Sequence, residues 1–409
     1  MYKIRDGALA PKGREKIEWV KEHMPVLNYI RETFMEEKPF KDERVAICLH
    51  LEAKTGYMAL LLQELGADVY ISGSNPLSTD DSVCAFLAEE GINVYSWYGI
   101  DPHAYHENLT TILDATPTLI IDDGLDLTSL LHVQEKPPVK GACEETTTGI
   151  IRARALHNQG LLQFPVIAVN NAYCKSLFDN RYGTGQSALD GIMRTTNLVI
   201  AGKTVVISGY GWVGKGLAMR ARGLGAHIIV TEVDPIKALE AHMEGYQVMS
   251  MDEASRKGDI FITATGTTDV IREEHFKAMN HKAVLCNAGH FDVEIDVKTL
   301  RTLAEGRKIR TNVEAYTING KTLYLLGEGR LVNLACADGH PAEIMDLSFA
   351  LQVLSAQYVA THALEPAVIS VPEEIDRKVA DLALKALNIT IDTLTKSQKD
   401  YLNSWKYST

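Results

Sequence analysis

From Arg44 the chain alternates short runs of branched apolar residues with longer runs of helical periodicity: VAICLH, TGYMALLLQELGA, DVYISG, SVCAFLAEEG, INVYSW. Short β-rich runs bounded by Gly, Asn, Asp or Ser read as strands, and strands alternating with amphipathic helices read as βαβ units of a parallel sheet. The series continues through TLIIDDG, EETTTGIIRARALHNQG and FPVIAVN, so residues 1 to about 180 are expected to form one doubly wound α/β unit. A second α/β series starts at Lys203 with TVVISGYGWVGKGLAMRARGLGAHIIVTEVD and runs through QVMSMDEASRKGDIFITATG to HKAVLCNAG. Near Leu331 the pattern becomes NLACADGHPAEIMDLSFALQVLSAQYVATHAL, a long helix-forming run expected to carry the chain back onto the first unit. The tail from LTKSQKDYLNSWKYST is polar with aromatic punctuation and is expected to be exposed or to contact a partner.

Composition narrows the classes. With 409 residues, 46% of them hydrophobic and 23% charged, the chain is long enough for two cores, since single cores seldom grow past about 250 to 300 residues. The net charge of -12 and the absence of a Lys/Arg-rich block exclude nucleic acid, whose phosphates demand a basic footprint. The six cysteines are scattered, with no CxxC pair and no Cys/His cluster at zinc spacing, which predicts a reducing compartment and no metal site. The opening MYKIRDGALAPKGREKIEW is charged and lacks an apolar core, and no run of about 18 apolar residues occurs. No membrane association is expected, and the protein reads as cytoplasmic.

The strongest motif is Gly209-Tyr-Gly211-Trp212-Val213-Gly214, between the strand TVVIS and the helix KGLAMRARGLGA. The first glycine permits a tight turn, the second lets the backbone approach a pyrophosphate, and the third allows close helix-on-strand packing. The next strand ends in Glu232, where a carboxylate accepts ribose hydroxyls and repels a 2'-phosphate, so NAD is favoured over NADP. Thr265-Gly266 after FITA, and Asn287-Ala288-Gly289-His290 after AVLC, sit at the carboxyl ends of later strands and are expected to flank the nicotinamide half.

Polar clusters also fall at strand ends in the first unit: His50, Asp122-Asp123, Glu144-Glu145-Thr146-Thr147-Thr148, and Lys175 with Asp179-Asn180. Together with AGHFDVEID, EGRLVNL (containing Asn333) and Gly339-His340-Pro, they give the chain a resemblance to the S-adenosylhomocysteine hydrolase family over essentially its whole length. The resemblance implies a discontinuous substrate domain, 1–182 with 345–385, and an NAD domain, 183–344, joined by a hinge. It also implies a C-terminal segment, 386–409, that reaches a neighbour in a homotetramer, and one tightly bound NAD per subunit. Lys406 and Tyr407 are candidates for the tail's contribution to a neighbour's NAD site. In such enzymes a small-molecule thioether is cleaved by transient oxidation: a 3'-ketone acidifies the C4' proton, homocysteine leaves from C5', water adds, and the ketone is reduced.

By the same resemblance Lys175 and Asp179 hold the ribose hydroxyls and drive 3' deprotonation, Lys175 as a base if burial lowers its pKa. Asn180 orders Lys175 and the cofactor, Glu145 binds a ribose hydroxyl, and His290 handles water or the 3' oxygen. Asp123 and His50 serve the C4' proton and the leaving sulfur, which of them is the base being left open, and His340 lies against the purine. Thr146, Thr147, Thr148, Asn180, Ala288, Gly289, His290 and Asn333 join the glycine turn and Glu232 around NAD.

The informative departure is Glu52 with Lys54, where family members acting on the adenosyl compound usually carry Thr and then Gln or Glu. Hypoxanthine inverts the hydrogen-bond polarity of adenine, offering an acceptor at O6 and a donor at N1. A carboxylate only accepts and an ammonium only donates, so Glu52 facing N1-H and Lys54 facing O6 point to S-inosyl-L-homocysteine, with the S-adenosyl compound as the alternative. If the two residues instead pair with each other or with solvent, specificity is unchanged. Lower-ranked readings are a net-redox NAD dehydrogenase and a non-catalytic metabolite-binding protein. Thr184 and Lys237 depart from common family residues near the cofactor.

Overall fold

The computed structural model describes residues 2–134 and 139–405. Six strands, β1 (Arg44–Leu49), β2 (Asp68–Gly73), β3 (Asn93–Val94), β4 (Leu119–Asp122), β5 (Gly141–Glu144) and β6 (Val166–Ala168), form a wholly parallel sheet with a late strand, Val368–Ser370. A second sheet contains β7 (Thr204–Ser208), β8 (His227–Thr231), β9 (Gln247–Val248), β10 (Ile260–Thr263), β11 (Val284–Asn287), β12 (Arg307–Arg310), β13 (Val313–Ile318) and β14 (Lys321–Leu326); the late strand is therefore β15. The strand orders are β15-β6-β5-β4-β1-β2-β3 and β12-β13-β14-β11-β10-β7-β8-β9.

The strands are apolar on both faces because helices cover both faces. Val45, Ile47 and Leu49 of β1 enter one apolar layer with Met58 and Leu61, while Ala46 and Cys48 enter the opposite layer with Leu109 and Ile112. In the second sheet Val205 and Ile207 of β7 face one layer and Val206 the other. Asp80, Asp101 and Asp234 accept backbone N–H bonds at the starts of the helices Asp81–Glu89, Pro102–Asp114 and Pro235–Met243, satisfying donors that the first turn leaves free.

Two sequence expectations need correcting. The second sheet is not parallel throughout: β12, β13 and β14 form an antiparallel meander, with β14 then running parallel to β11. Its β13–β14 turn is Asn319-Gly320, both at positive φ, the arrangement of a tight two-residue hairpin. The run after Leu331 is not one helix either. A short helix, Val332–Ala335, ends before a turn with Gly339 at φ 74, and the long helix Ala342–Thr361 begins after Pro341, as expected since proline pushes the preceding residue out of the helical region.

That long helix leads the chain back to the first sheet. Its Asp346 accepts Val26 N (2.7 Å) and Leu27 N (2.8 Å) at the start of the helix Pro25–Phe34, and β15 pairs with β6. Asp376 on the next helix accepts Tyr173 N and Cys174 N at 2.7 and 2.8 Å. Among the described residues no helix is long and apolar enough to cross a membrane.

Candidate active site

The carboxyl ends of β1, β4 and β5 from one sheet, and of β7, β8, β10 and β11 from the other, open onto one cavity of about 1380 Å³. Ligands of open α/β sheets bind at such strand ends, and this volume exceeds the roughly 300–1,000 Å³ of an ordinary small-molecule pocket.

The second sheet supplies a nucleotide cradle. Gly209 has φ +93, and a Cβ there would lie 2.6 Å from the Ala264 carbonyl oxygen. At Gly214 a Cβ would lie 2.0 Å from the Gly209 oxygen, so the helix Trp212–Gly223 can sit this close to the turn only with glycine. Gly211 has nothing within 4 Å of its Cβ position and faces the cavity, where any side chain would occupy ligand space. Glu232, just past β8, is fixed by Tyr210 N (2.6 Å), Val233 N (2.7 Å) and Asp234 N (3.1 Å). On the other side of β7, Thr265, Gly266, Ala288, Gly289 and Asn333 line the cavity. Asn333 donates to Ser187 Oγ at 3.2 Å, while its Oδ1 is buried without a donor. A glycine turn at a helix N-terminus, a fixed carboxylate on the next strand and an orphaned buried acceptor fit a dinucleotide.

The first sheet supplies a buried polar cluster. Lys175 Nζ lies 2.8 Å from Asn180 Oδ1, 3.2 Å from Asp179 Oδ1 and 3.5 Å from Glu145 Oε1. Burial pushes the Lys175 ammonium down, but Asp179 and Glu145 outweigh it and raise its pKa overall. The condition under which Lys175 would act as a base is therefore not met in this state. Burial also works against charge on Asp179, yet Lys175 and His340 hold it below the ordinary carboxylate range. Glu145 is pushed up to about 7 by burial, with Lys175 opposing. Asn180 donates to Asn170 (3.1 Å), which donates to Thr147 (3.0 Å), linking Lys175 to the threonine loop. The segment Ser176–Gly183 that carries Asp179 and Asn180 is a π-helix, an element frequent at functional sites.

Between the sheets Asp123 meets two imidazoles. Its Oδ2 lies 3.2 Å from His50 Nε2 and its Oδ1 lies 3.5 Å from Nδ1 of His290, which reaches across from the second sheet. Ser74 donates to Asp123 at 3.2 Å, and Ser78 Oγ bonds His50 Nδ1 at 2.6 Å. Burial holds the His50 pKa down to about 4 against the pull of Asp123, so the ring is neutral near pH 7. Ligand atoms of His50, Asp123 and His290 all lie within 4.8 Å of one another, close enough to share a proton or a cation. The expectation of no metal came from spacing along the chain, which does not register this group. Oδ1 of Asp123, beside His290, and Oε1 of Glu145 and Oδ1 of Asp179, beside Lys175, are buried yet receive no aligned hydrogen bond. Such acceptors are what sugar hydroxyls require.

Adjacent carboxylates divide the work. Glu144 accepts Gly124 N, Leu125 N and Thr146 N, each at 2.9 Å, and so fixes the loops that carry Asp123 and Thr146. Leu125 is thereby held at φ 68, strain of the kind found beside active sites. Asp122 accepts Thr128 N at 2.9 Å and caps its helix; neither Asp122 nor Glu144 lines the cavity.

Glu52 caps the helix Ala53–Glu64, and its Oε2 also lies 2.6 Å from Lys54 Nζ, which donates to the Asp338 carbonyl at 3.0 Å. His340 Nδ1 lies 3.0 Å from Asp179 Oδ1, and its Nε2 bonds Thr184 Oγ1 at 3.0 Å. The residues given a role in the site line this cavity except Gly214, which packs beneath the glycine turn, and Asn287, whose side chain ties the Gly289 turn from behind. Lys406 and Tyr407 lie outside the described residues. Sequence reasoning missed Ser348 and Gln352, which donate to Asp179 Oδ2 (2.7 Å) and Glu145 Oε2 (2.5 Å) from the returning helix. Their signal was present: two polar residues one helical turn apart in the otherwise apolar run LSFALQVL.

A dinucleotide cradle and a buried acid, lysine and histidine cluster facing each other across one cleft define a two-sheet NAD-dependent enzyme. The chain belongs to the S-adenosyl-L-homocysteine hydrolase family: the model described as "S-adenosyl-L-homocysteine hydrolase" matches residues 1–138, and that of its NAD binding domain matches residues 180–339. Over 415 residues it is 56% identical to the S-inosyl-L-homocysteine hydrolase of Methanocaldococcus jannaschii, covering 100% of both chains. It is 55% identical to the adenosylhomocysteinase of Thermococcus kodakarensis, covering 100% of this chain and 99% of that one. A dipicolinate synthase chain from Bacillus halodurans shares the fold alone, at a TM-score of 0.50 and 12% identity over 79% of this chain and 99% of that one. The protein is thus an NAD-dependent hydrolase acting on a small molecule.

Proposed function

We propose that the protein reversibly hydrolyses S-inosyl-L-homocysteine to inosine and L-homocysteine, the S-adenosyl compound being the alternative substrate. The observation that carries the purine is the Glu52–Lys54 pair on the cavity wall. An ammonium has three donors; Lys54 directs one to Glu52 and one to the Asp338 carbonyl, leaving one for O6. The bonds that the described residues make to Glu52 all go to Oε2, so Oε1 is left to accept from N1-H. The two residues do pair with each other, the arrangement expected to leave specificity unchanged, but the pairing engages only Oε2 of Glu52 and one Lys54 proton, so an acceptor still stands beside a donor. Adenine would bring its N6 donor against the Lys54 donor, and an unpaired buried polar group costs about 1–3 kcal/mol. Names of similar proteins support both purines, one being called an S-inosyl-L-homocysteine hydrolase and another an adenosylhomocysteinase. The test is the double substitution Glu52→Thr with Lys54→Gln: the kcat/KM ratio of inosyl to adenosyl substrate should fall at least about tenfold, roughly 1.4 kcal/mol, and an unchanged ratio would refute the reading.

When bound, NAD supplies a hydride acceptor for the substrate's 3' carbon and returns the hydride at the end of the cycle. Lys175, held as an ammonium, stabilises charge developing on the 3' oxygen. Asp179 and Glu145 accept hydrogen bonds from the ribose hydroxyls, and Glu145, tuned close to neutral pH, takes the proton that the 3' hydroxyl gives up. Asp123, with neutral His50 on one oxygen and His290 near the other, moves the C4' proton and the proton gained by the leaving sulfur or lost by the entering water. Closure of the two units excludes bulk water from the reactive ketone.

The same reading gives residues 1–182 with 345–385 to the substrate, 183–344 to NAD, and 386–409 to assembly of a cytoplasmic homotetramer with one tightly held NAD per subunit. Exposed Leu394, Tyr401, Leu402 and Trp405 on the C-terminal segment support that last role.

A further inference from the structure

Among the buried carboxylates that the mechanism leaves unused, one lies against the cofactor loops. Glu294 is 1% exposed and lies beyond β11, in the stretch AGHFDVEID. Its Oε2 accepts Thr265 N (2.8 Å) and Thr265 Oγ1 (2.7 Å), and its Oε1 accepts Gly266 N (2.9 Å). Its backbone carbonyl accepts Val270 N at 2.8 Å, closing the loop that follows β10. The same Oε1 would lie 1.9 Å from a Cβ at position 289, so Glu294 also packs directly beneath the Gly289 turn. Asn287 ties the other side of that turn: its Oδ1 accepts Gly289 N (2.8 Å) and its Nδ2 donates to Gly289 O (3.0 Å) and Phe291 O (2.9 Å).

One carboxylate therefore sits between the loops after β10 and β11. Both loops line the cavity, and both lie on the side of β7 opposite β8 and Glu232. A dinucleotide whose pyrophosphate rests on the Gly209–Gly214 turn and whose adenosine ribose meets Glu232 must extend its other half toward these loops. We infer that Glu294 is a positioning residue for the nicotinamide half of NAD, clamping the Thr265-Gly266 loop and the Gly289-His290 turn into one rigid wall.

The chemistry suits a clamp. Three donors converge on a carboxylate inside the protein, where charge-assisted bonds are strong and loss of the acceptor leaves buried N–H groups unpaired. Glutamine is nearly isosteric, but it must turn an NH2 group toward Thr265 or Gly266, donor against donor. The inference rests on the placement of the nicotinamide half given above.

The test uses holoenzyme equilibrated with graded mixtures of NAD and ADP-ribose, which lacks nicotinamide. The bound nucleotides are released and quantified, and each dissociation constant is also measured separately. For Glu294→Gln the preference for NAD over ADP-ribose should fall at least about tenfold, while ADP-ribose affinity changes less than about twofold. Thr265→Val removes only the side-chain bond and should shift the preference the same way by about threefold; it decides the matter if the glutamine variant does not fold. Unchanged affinities for both nucleotides would show that Glu294 does not position these loops. Equal losses for both would show instead that the loops hold a part of the cofactor common to both, overturning the nicotinamide placement and the inference with it.

Discussion

Gly211 and Gly214 are two residues of one turn, and the structure predicts opposite consequences for the same added methyl group. At Gly214 an alanine Cβ would lie 2.0 Å from a backbone oxygen, closer than real Cβ contacts come, so the helix Trp212–Gly223 must shift away from β7. Overpacking of this kind costs about 1–3 kcal/mol of stability, and the displaced helix N-terminus weakens the pyrophosphate site as well. At Gly211 the backbone has φ −76, which any residue adopts, and no protein atom lies within 4 Å of the new carbon. The protein itself loses only the modest capping preference for glycine over alanine, somewhere below about 1 kcal/mol. The methyl group occupies ligand space, however, so NAD affinity should fall about 10- to 100-fold, the equivalent of about 1.4–2.8 kcal/mol. Titration of NAD into cofactor-stripped protein, beside thermal melts of that same stripped protein, separates the two effects. Gly214→Ala should lower both stability and affinity, Gly211→Ala affinity almost alone. Wild-type NAD affinity in Gly211→Ala would refute the placement of the cofactor over this turn.

Other expectations follow from the polar wall and the tail. Lys175→Met should reduce turnover by at least about 10²-fold and leave Asp179 and Glu145 without their cation, so denaturant titrations should show lost stability that is partly regained as pH falls. Because the folded-state pKa of His50 is depressed to about 4 from an ordinary 6.5, unfolded chains bind a proton that folded ones do not between those values. Its contribution therefore destabilises the fold progressively as pH drops from about 6.5 to 4, by up to about 3 kcal/mol; ring NMR signals of His50 titrating near pH 6.5 would contradict this. Gln352→Leu removes the donor to Glu145 and should move the ionisation of Glu145 upward in a pH–rate profile, an unshifted profile counting against the contact. Trp405→Glu with Leu402→Glu should reduce the oligomer's mass in light scattering at micromolar concentration; an unchanged mass would remove the tail from assembly.

The parts of this molecule legible in the sequence are those where one local rule decides the outcome. Both parallel series were readable because strands buried on both faces appear as continuous apolar runs, and the glycine turn because its three positions have separate steric reasons. The antiparallel edge carried a legible Asn319-Gly320 signal between TI and KTLYLL that the sequence reading passed over. What could not be read locally depends on tertiary encounter. Glu144 and Glu145 are neighbours of like charge, and only the loops they meet separate a scaffold residue from one facing the cavity. The protonated state of Lys175 is set by Asp179 and Glu145 together, against its own burial. His290 reaches Asp123 across the cleft between the sheets, an encounter that no spacing along the chain announces.

The central claim is the purine read by Glu52 and Lys54, and the most direct measurement is steady-state kinetics of the unmodified enzyme on S-inosyl- and S-adenosyl-L-homocysteine, following the released thiol. A specificity constant at least about tenfold higher for the inosyl substrate, roughly 1.4 kcal/mol of transition-state discrimination, is the predicted result. An adenosyl substrate that performs equally well or better would contradict it.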